Sequence, residues 1–158
     1  MRFICDITLG RLAKRLRMLG FDTISFTKAE DTLEPYRKLA DPPLLLTKRT
    51  KPIAYQPVVF VRSNDTEAQL KEIGHLIRPV LDRARFMTRC LACNTLLQAA
   101  SKEAIEGLIP EYTYHHHSRF KTCPHCKKVY WEGTHTEAMR SITEVFLADT
   151  GDEQGKKR

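Results

Sequence analysis

The sequence predicts an α/β protein: a small, mostly parallel sheet flanked by helices, followed by a cysteine-paired ribbon. Three observations carry that expectation. Short apolar runs alternate with segments of helical periodicity through residues 1–85, the stretches between those runs are long enough to hold a helix, and four of the five cysteines of the 158-residue chain form two Cys-x-x-Cys pairs in its second half. Parallel strands need helix-length crossovers, so this alternation selects a parallel sheet over hairpins.

The first apolar run, residues 2–5, reads as a strand ending at Asp6. Thr8 can cap a helix whose apolar positions Leu9, Leu12, Ala13, Leu16 and Leu19 recur at helical spacing, and Gly20 stops it. The opposite face carries Arg11, Lys14, Arg15 and Arg17 with no acidic residue among them. A strand over 23–26, a helix over 31–40, a buried strand over 43–47 and a strand over 58–61 follow. Leu70, Ile73, Leu76 and Ile77 then give helical periodicity over 67–77. Residues 78–85 read as a connector, which predicts an α/β domain over 1–85, a ribbon domain over 86–147 and a flexible polar tail over 148–158.

In open parallel sheets ligands gather beyond the carboxyl ends of the strands. Asp6, Lys48, Arg49, Ser63, Asn64 and Asp65 are the polar residues at those ends. The charge is +7, and residues 1–85 hold 16 Lys and Arg against 10 Asp and Glu, so the basic surface belongs to the first half and suits an anionic partner. The apolar run 42–46 is far too short to span a bilayer, and Asp6 stands where a secretory signal would be apolar; the expectation is a soluble cytoplasmic protein with no membrane partner.

Cys90 and Cys93 are separated from Cys123 and Cys126 by 29 residues. Two such pairs can place four thiolates tetrahedrally around one zinc, a closed structural site with no open position for water. The residues around a knuckle cannot bury enough surface to fold alone, so the metal supplies the missing stabilisation. Asn94, after Cys93, tolerates the left-handed backbone of a tight metal turn, while Lys127 at the comparable place suits it less well. With four cysteines completing the shell, His115, His116, His117 and His135 read as polar loop residues or as partners for the zinc thiolates and nucleic-acid phosphates, and Cys5 as a small buried strand residue. Tyr130 and Trp131 could stack on a base, and read first as packing against the metal turn.

Metal-dependent phosphodiester hydrolysis needs carboxylates converging in a strand-end cleft. Asp6 is well placed for this, and Asp31 and Asp65 are candidates that could equally cap the helices they precede. The cations Arg11, Lys14, Arg15 and Arg17 suit a nucleic-acid backbone, with affinity that falls as salt rises.

These residues resemble a family. Asp6-x-x-Leu9-Gly10-Arg11-Leu12-Ala13-Lys14-Arg15-Leu16-Arg17-Met18-Leu19-Gly20-Phe21-Asp22-Thr23, Leu45-Leu46-Thr47, Val61-Arg62-Ser63-Asn64-Asp65, Arg89-Cys90-x-x-Cys93-Asn94 and Cys123-Pro124-x-Cys126-x-x-Val129-Tyr130-Trp131-x-Gly133-Thr134-His135 occur in the order of the PIN-like ribonucleases with an appended zinc ribbon, named for the C-terminal domain of the Mut-seven exonuclease. The resemblance runs from about residue 3 to residue 140. It implies a PIN-like fold, an acidic strand-end cluster of Asp6, Asp31 and Asp65 binding Mg²⁺ or Mn²⁺, and RNA as substrate. His117, Phe120 and Ser101-Lys102-Glu103 match further places of the pattern. Two positions depart from it: Arg49 and Asn64 stand where the family is usually acidic. A cation in place of a carboxylate removes a ligand and adds Coulomb repulsion against a divalent ion. Two readings therefore stand together: a metal-dependent endoribonuclease, or a non-catalytic module on the same fold in which Arg49 joins the basic helix to bind nucleic acid, or in which the ribbon docks a protein partner.

Overall fold

The computed structural model describes residues 1–26, 32–51, 53–133, 137 and 140–141. Asp31, His135 and the tail over 148–158 lie outside the described residues. The chain divides into two compact units: Met1–Leu97 together with Cys123–Cys126, and Gln98–Thr122 together with the chain from Lys127 onward.

The first unit is an α/β layer built on four strands, β1 (Arg2–Cys5), β2 (Asp22–Ser25), β3 (Leu44–Thr47) and β4 (Val58–Phe60), all parallel in the order β2-β1-β3-β4. This is the parallel sheet that the alternation of apolar runs predicts. Because β1 is flanked on both sides, Phe3, Ile4 and Cys5 are fully buried, and Cys5 is the small interior residue expected.

Helix α1 (Gly10–Met18) lays Leu12, Ala13 and Leu16 against the sheet. It is preceded by a 3-10 turn, Ile7–Leu9, and the capping side chain is Asp6, which accepts from the Thr8 amide, rather than Thr8 itself. A carboxylate at the strand end is the stronger acceptor for the first free amides, so the cap moves two residues upstream of the predicted one. Gly20 ends the helix with φ +88°; a Cβ there would sit 2.3 Å from the Arg85 carbonyl oxygen. The segment beyond 78 thus folds back over the end of α1, with the Met87 amide donating to the Met18 carbonyl at 2.8 Å.

Two predicted helices are shorter than their periodicity implies. The helix expected over 31–40 is described only as α2 (Glu34–Arg37), with Pro35 in its first turn and Lys38 already outside helical geometry. The stretch 67–77 is broken into α3 (Thr66–Glu72) and α4 (Gly74–Ile77). Ile73 keeps the apolar phase and is fully buried, but Gly74 at the seam has no side chain to favour helix continuity.

In the second unit three short antiparallel strands, β5 (Gln98–Ala100), β6 (Phe120–Thr122) and β7 (Val129–Trp131), form a ribbon in the order β5-β6-β7. Helix α5 (Glu111–His116) lies between β5 and β6 in sequence. No helix among the described residues is long and apolar enough to cross a membrane.

Candidate functional site

Burial of β1 at the centre of the sheet delivers Asp6 to the middle of the carboxyl edge, where its carboxylate is 3% exposed. Its Oδ1 accepts from the amide of Thr8 at 2.8 Å and from the Thr8 hydroxyl; its Oδ2 accepts from the Thr47 hydroxyl at 2.6 Å and the Lys48 amide at 2.9 Å. Burial pushes the carboxyl upward, but the hydrogen bonds from Thr47, Thr8 and Lys48 outweigh it and hold Asp6 below the ordinary carboxylate value. A carboxylate offers about four lone-pair sites, and all of them are engaged here.

The neighbouring strand ends bring cations. Lys48, after β3, donates its ammonium to the Ser63 carbonyl at 3.1 Å and to the Asn64 side-chain oxygen. Arg49 is exposed, with its amide tied to the Thr47 hydroxyl at 3.0 Å. The loop after β4 is held from behind by Glu72, whose carboxylate accepts from the amides of Arg62 and Ser63, and by Gln69, whose amide donates to the Ser63 carbonyl. Glu72 is partly desolvated, yet those backbone donors lower its pKa. Asp65 at the end of this loop caps α3, accepting from the amides of Glu67 and Ala68 at 3.0 and 3.1 Å.

A cleft of about 610 Å³ opens at this strand edge. Its lining includes Arg11, Lys14 and Arg17 from α1, Ser25 from the end of β2, and Asn64 and Asp65. Three cations and one carboxylate line it, and two of the cations, Arg11 and Lys14, are exposed there, which suits an anion. Arg11 and Lys14 are exposed and Arg15 is half-buried. Arg17 does not share that exposed face: it is 4% exposed and its guanidinium is occupied by protein acceptors. Nε donates to the Thr23 carbonyl at 2.8 Å, one terminal nitrogen to the carbonyls of Leu91 and Ala92 at 2.9 and 3.0 Å, and the other to the Ser25 hydroxyl at 2.8 Å. Helical spacing puts it in register with the basic stripe, but the last turn of α1 is covered by the returning chain, and a buried guanidinium must find acceptors.

The four paired cysteines converge within the first unit. Their sulfurs all lie within 4.8 Å of one another, with Cys90 to Cys126 at 3.5 Å and Cys93 to Cys123 at 3.4 Å. Ligands about 2.3 Å from a tetrahedral zinc stand about 3.8 Å apart, so this arrangement suits one four-coordinate soft metal such as zinc. Burial pushes the Cys93 thiol upward, but hydrogen bonds with Thr95, Cys123 and Cys90 bring it down to about 5, toward the thiolate form that ligates. Asn94 and Lys127, each following the second cysteine of a knuckle, have φ of +69° and +62°. The left-handed turn expected at Asn94 is present, and Lys127 adopts it too despite its weaker preference. Of the histidines, His115 lies 3.8 Å from the Glu111 carboxylate and His116 stacks on Tyr112, as polar surface residues do.

A model of the Mut7-C RNAse domain matches residues 1–143. The chain belongs to the Mut7-C RNAse family. No curated protein and no solved structure matches it. Membership of the Mut7-C family ties the chain to ribonuclease-like, nucleic-acid-related function. A divalent hydrolytic centre on this domain would need several carboxylates with free oxygens facing one point. The described residues do not make one. The four cysteines are the one metal-ligating group among them, Asp6 is saturated, Asp65 caps a helix, and positions 49 and 64 carry Arg and Asn.

The sequence reading named Thr47 only within the Leu45-Leu46-Thr47 match and gave no role to it, to Glu72 or to Gln69. Thr47 left a faint signal, a hydroxyl at the end of a buried strand that must find an acceptor. Glu72 and Gln69 left none, since their roles depend on how the loop over 62–65 folds onto α3.

Proposed function

We propose that this Mut7-C chain binds RNA through backbone phosphates at the strand-end cleft and does not cleave it by the divalent-metal route. The observation that carries this reading is the state of Asp6: its carboxylate is surrounded by four protein donors, with the Lys48 ammonium bridging to Asn64 beside it. Displacing those donors to admit Mg²⁺ or Mn²⁺ would cost hydrogen bonds and bring the ion toward Lys48 and Arg49. The same cations, with Arg11, Lys14 and Arg15, supply point charges and donors for phosphate oxygens. The four cysteines hold a structural zinc in this reading.

Asp65 supports a second reading. It is the one carboxylate lining the cleft, and with Asp6 and Asp31 it would complete a metal-dependent endoribonuclease. The deciding experiment incubates end-labelled single-stranded and structured RNA with Mn²⁺, Mg²⁺ or EDTA, using wild type and Asp6→Asn at equal zinc content. Binding is read from the same samples. The expected result is a salt-sensitive shift that survives EDTA, with no metal-dependent products. Cutting that requires Mn²⁺ and disappears in Asp6→Asn establishes the enzyme instead.

A further inference from the structure

Strand β2 is the edge of the parallel sheet, and among the described residues no strand pairs with the backbone groups on its outer side. Side chains and carbonyls tied to the first cysteine knuckle cover them. The Asn94 side-chain oxygen accepts from the Thr23 amide at 3.0 Å, and its amide nitrogen donates to the Asp22 carboxylate at 2.6 Å. Arg17 spans the same junction, joining the Thr23 carbonyl and Ser25 hydroxyl on β2 to the carbonyls of Leu91 and Ala92. Leu91 and Ala92 are the two residues between the first pair of cysteines, so their carbonyls are set by the turn that the metal closes. Arg17, Ser25 and Ala92 also line the cationic cleft.

We propose that the metal-bound knuckle is a wall of this cleft, with Asn94 and Arg17 as positioning residues, so that metal occupancy and RNA binding are thermodynamically coupled. The inference rests on the RNA-binding reading above. Without a metal, the cluster of sulfurs is held only by weak thiol contacts and the hydrogen bonds of the knuckle turns. The turn over 90–93 then relaxes and takes the acceptors of Arg17 with it. A guanidinium released from those carbonyls no longer fixes Ser25 or the C-terminal half of α1, which presents Lys14. Coupling of this kind is reciprocal: if zinc strengthens RNA binding by some factor, RNA strengthens zinc binding by the same factor.

The test uses the full chain loaded with zinc and a fluorescent single-stranded RNA. Zinc affinity, read by equilibrium competition with a chromogenic chelator, is expected to be about fivefold higher at saturating RNA. Asn94→Gly keeps the left-handed turn and all four thiolates while removing the side chain that reaches β2. It should retain one zinc per chain, bind RNA about fivefold more weakly, and lose the protection of zinc by RNA. In the absence of RNA, amide exchange at Thr23 should accelerate on zinc removal while Ile4 in central β1 stays protected. A zinc affinity indifferent to bound RNA overturns the coupling. Thr23 exchange unchanged on zinc removal overturns the shared wall itself. A zinc-loaded chain that binds no RNA, yet whose Thr23 exchange follows zinc, overturns the RNA-binding reading and the coupling with it, leaving only the structural wall.

Discussion

Arg17→Met separates a structural cation from a ligand-binding one. The substitution keeps most of the aliphatic stem and removes a guanidinium that donates to the carbonyls of Thr23, Leu91 and Ala92 and to the Ser25 hydroxyl. The bond to Thr23 is buried and its loss leaves an unsatisfied carbonyl, at about 1.5 kcal/mol. The other three are part-buried at the cleft, where water can replace the donor, and cost about 0.5 kcal/mol each. The expected loss is about 3 kcal/mol in urea unfolding of zinc-loaded protein at pH 7. Arg11→Met is the control: Arg11 is exposed, so its removal should change stability by less than about 0.5 kcal/mol. A loss below about 1 kcal/mol for Arg17→Met, together with an RNA affinity reduced as much as in Arg11→Met, would refute the reasoning and return Arg17 to the binding face.

Three further outcomes follow from particular contacts. Asp6 is held below its ordinary carboxylate value of 3.8, so its contribution to stability is complete above that value and is lost as pH falls through the lower folded value. The stability gap between wild type and Asp6→Asn should therefore be largest near neutrality, about 2 kcal/mol, and shrink below about pH 4 in urea titrations at matched pH. Gly20→Ala adds a Cβ at φ +88° within 2.3 Å of the Arg85 oxygen, and should cost at least about 1 kcal/mol by thermal or urea unfolding. Combining Arg11→Ala with Lys14→Ala should weaken RNA binding uniformly across sequences and reduce the salt slope by about 1.4 for single strands, measured by anisotropy between low and moderate salt.

The parallel sheet was legible because it depends on local signals. A strand buried on two faces must be an unbroken apolar run, and a crossover must be long enough for a helix. The cysteine site was equally legible, since metal geometry permits few spacings. Helix lengths were less so. Apolar phase continues through Ile73 although the helix breaks at that residue, just before Gly74, because burial requires the phase and not an uninterrupted helix.

Residue type and position along the chain put Asp6, Lys48, Arg49, Asn64 and Asp65 at strand ends, and the parallel order makes those ends one edge. Side-chain partners lay beyond the reach of the sequence, because they join residues far apart in the chain: Asp6 with Thr47, Lys48 with Asn64, Arg17 with Leu91 and Ala92, Asn94 with Thr23. Periodicity assigns a residue to a face but cannot say what returns to cover that face. Only tertiary structure makes Arg17 a buried tie and leaves Arg11 and Lys14 in the cleft, and the physical reason is the chain beyond 78 folding back across the end of α1.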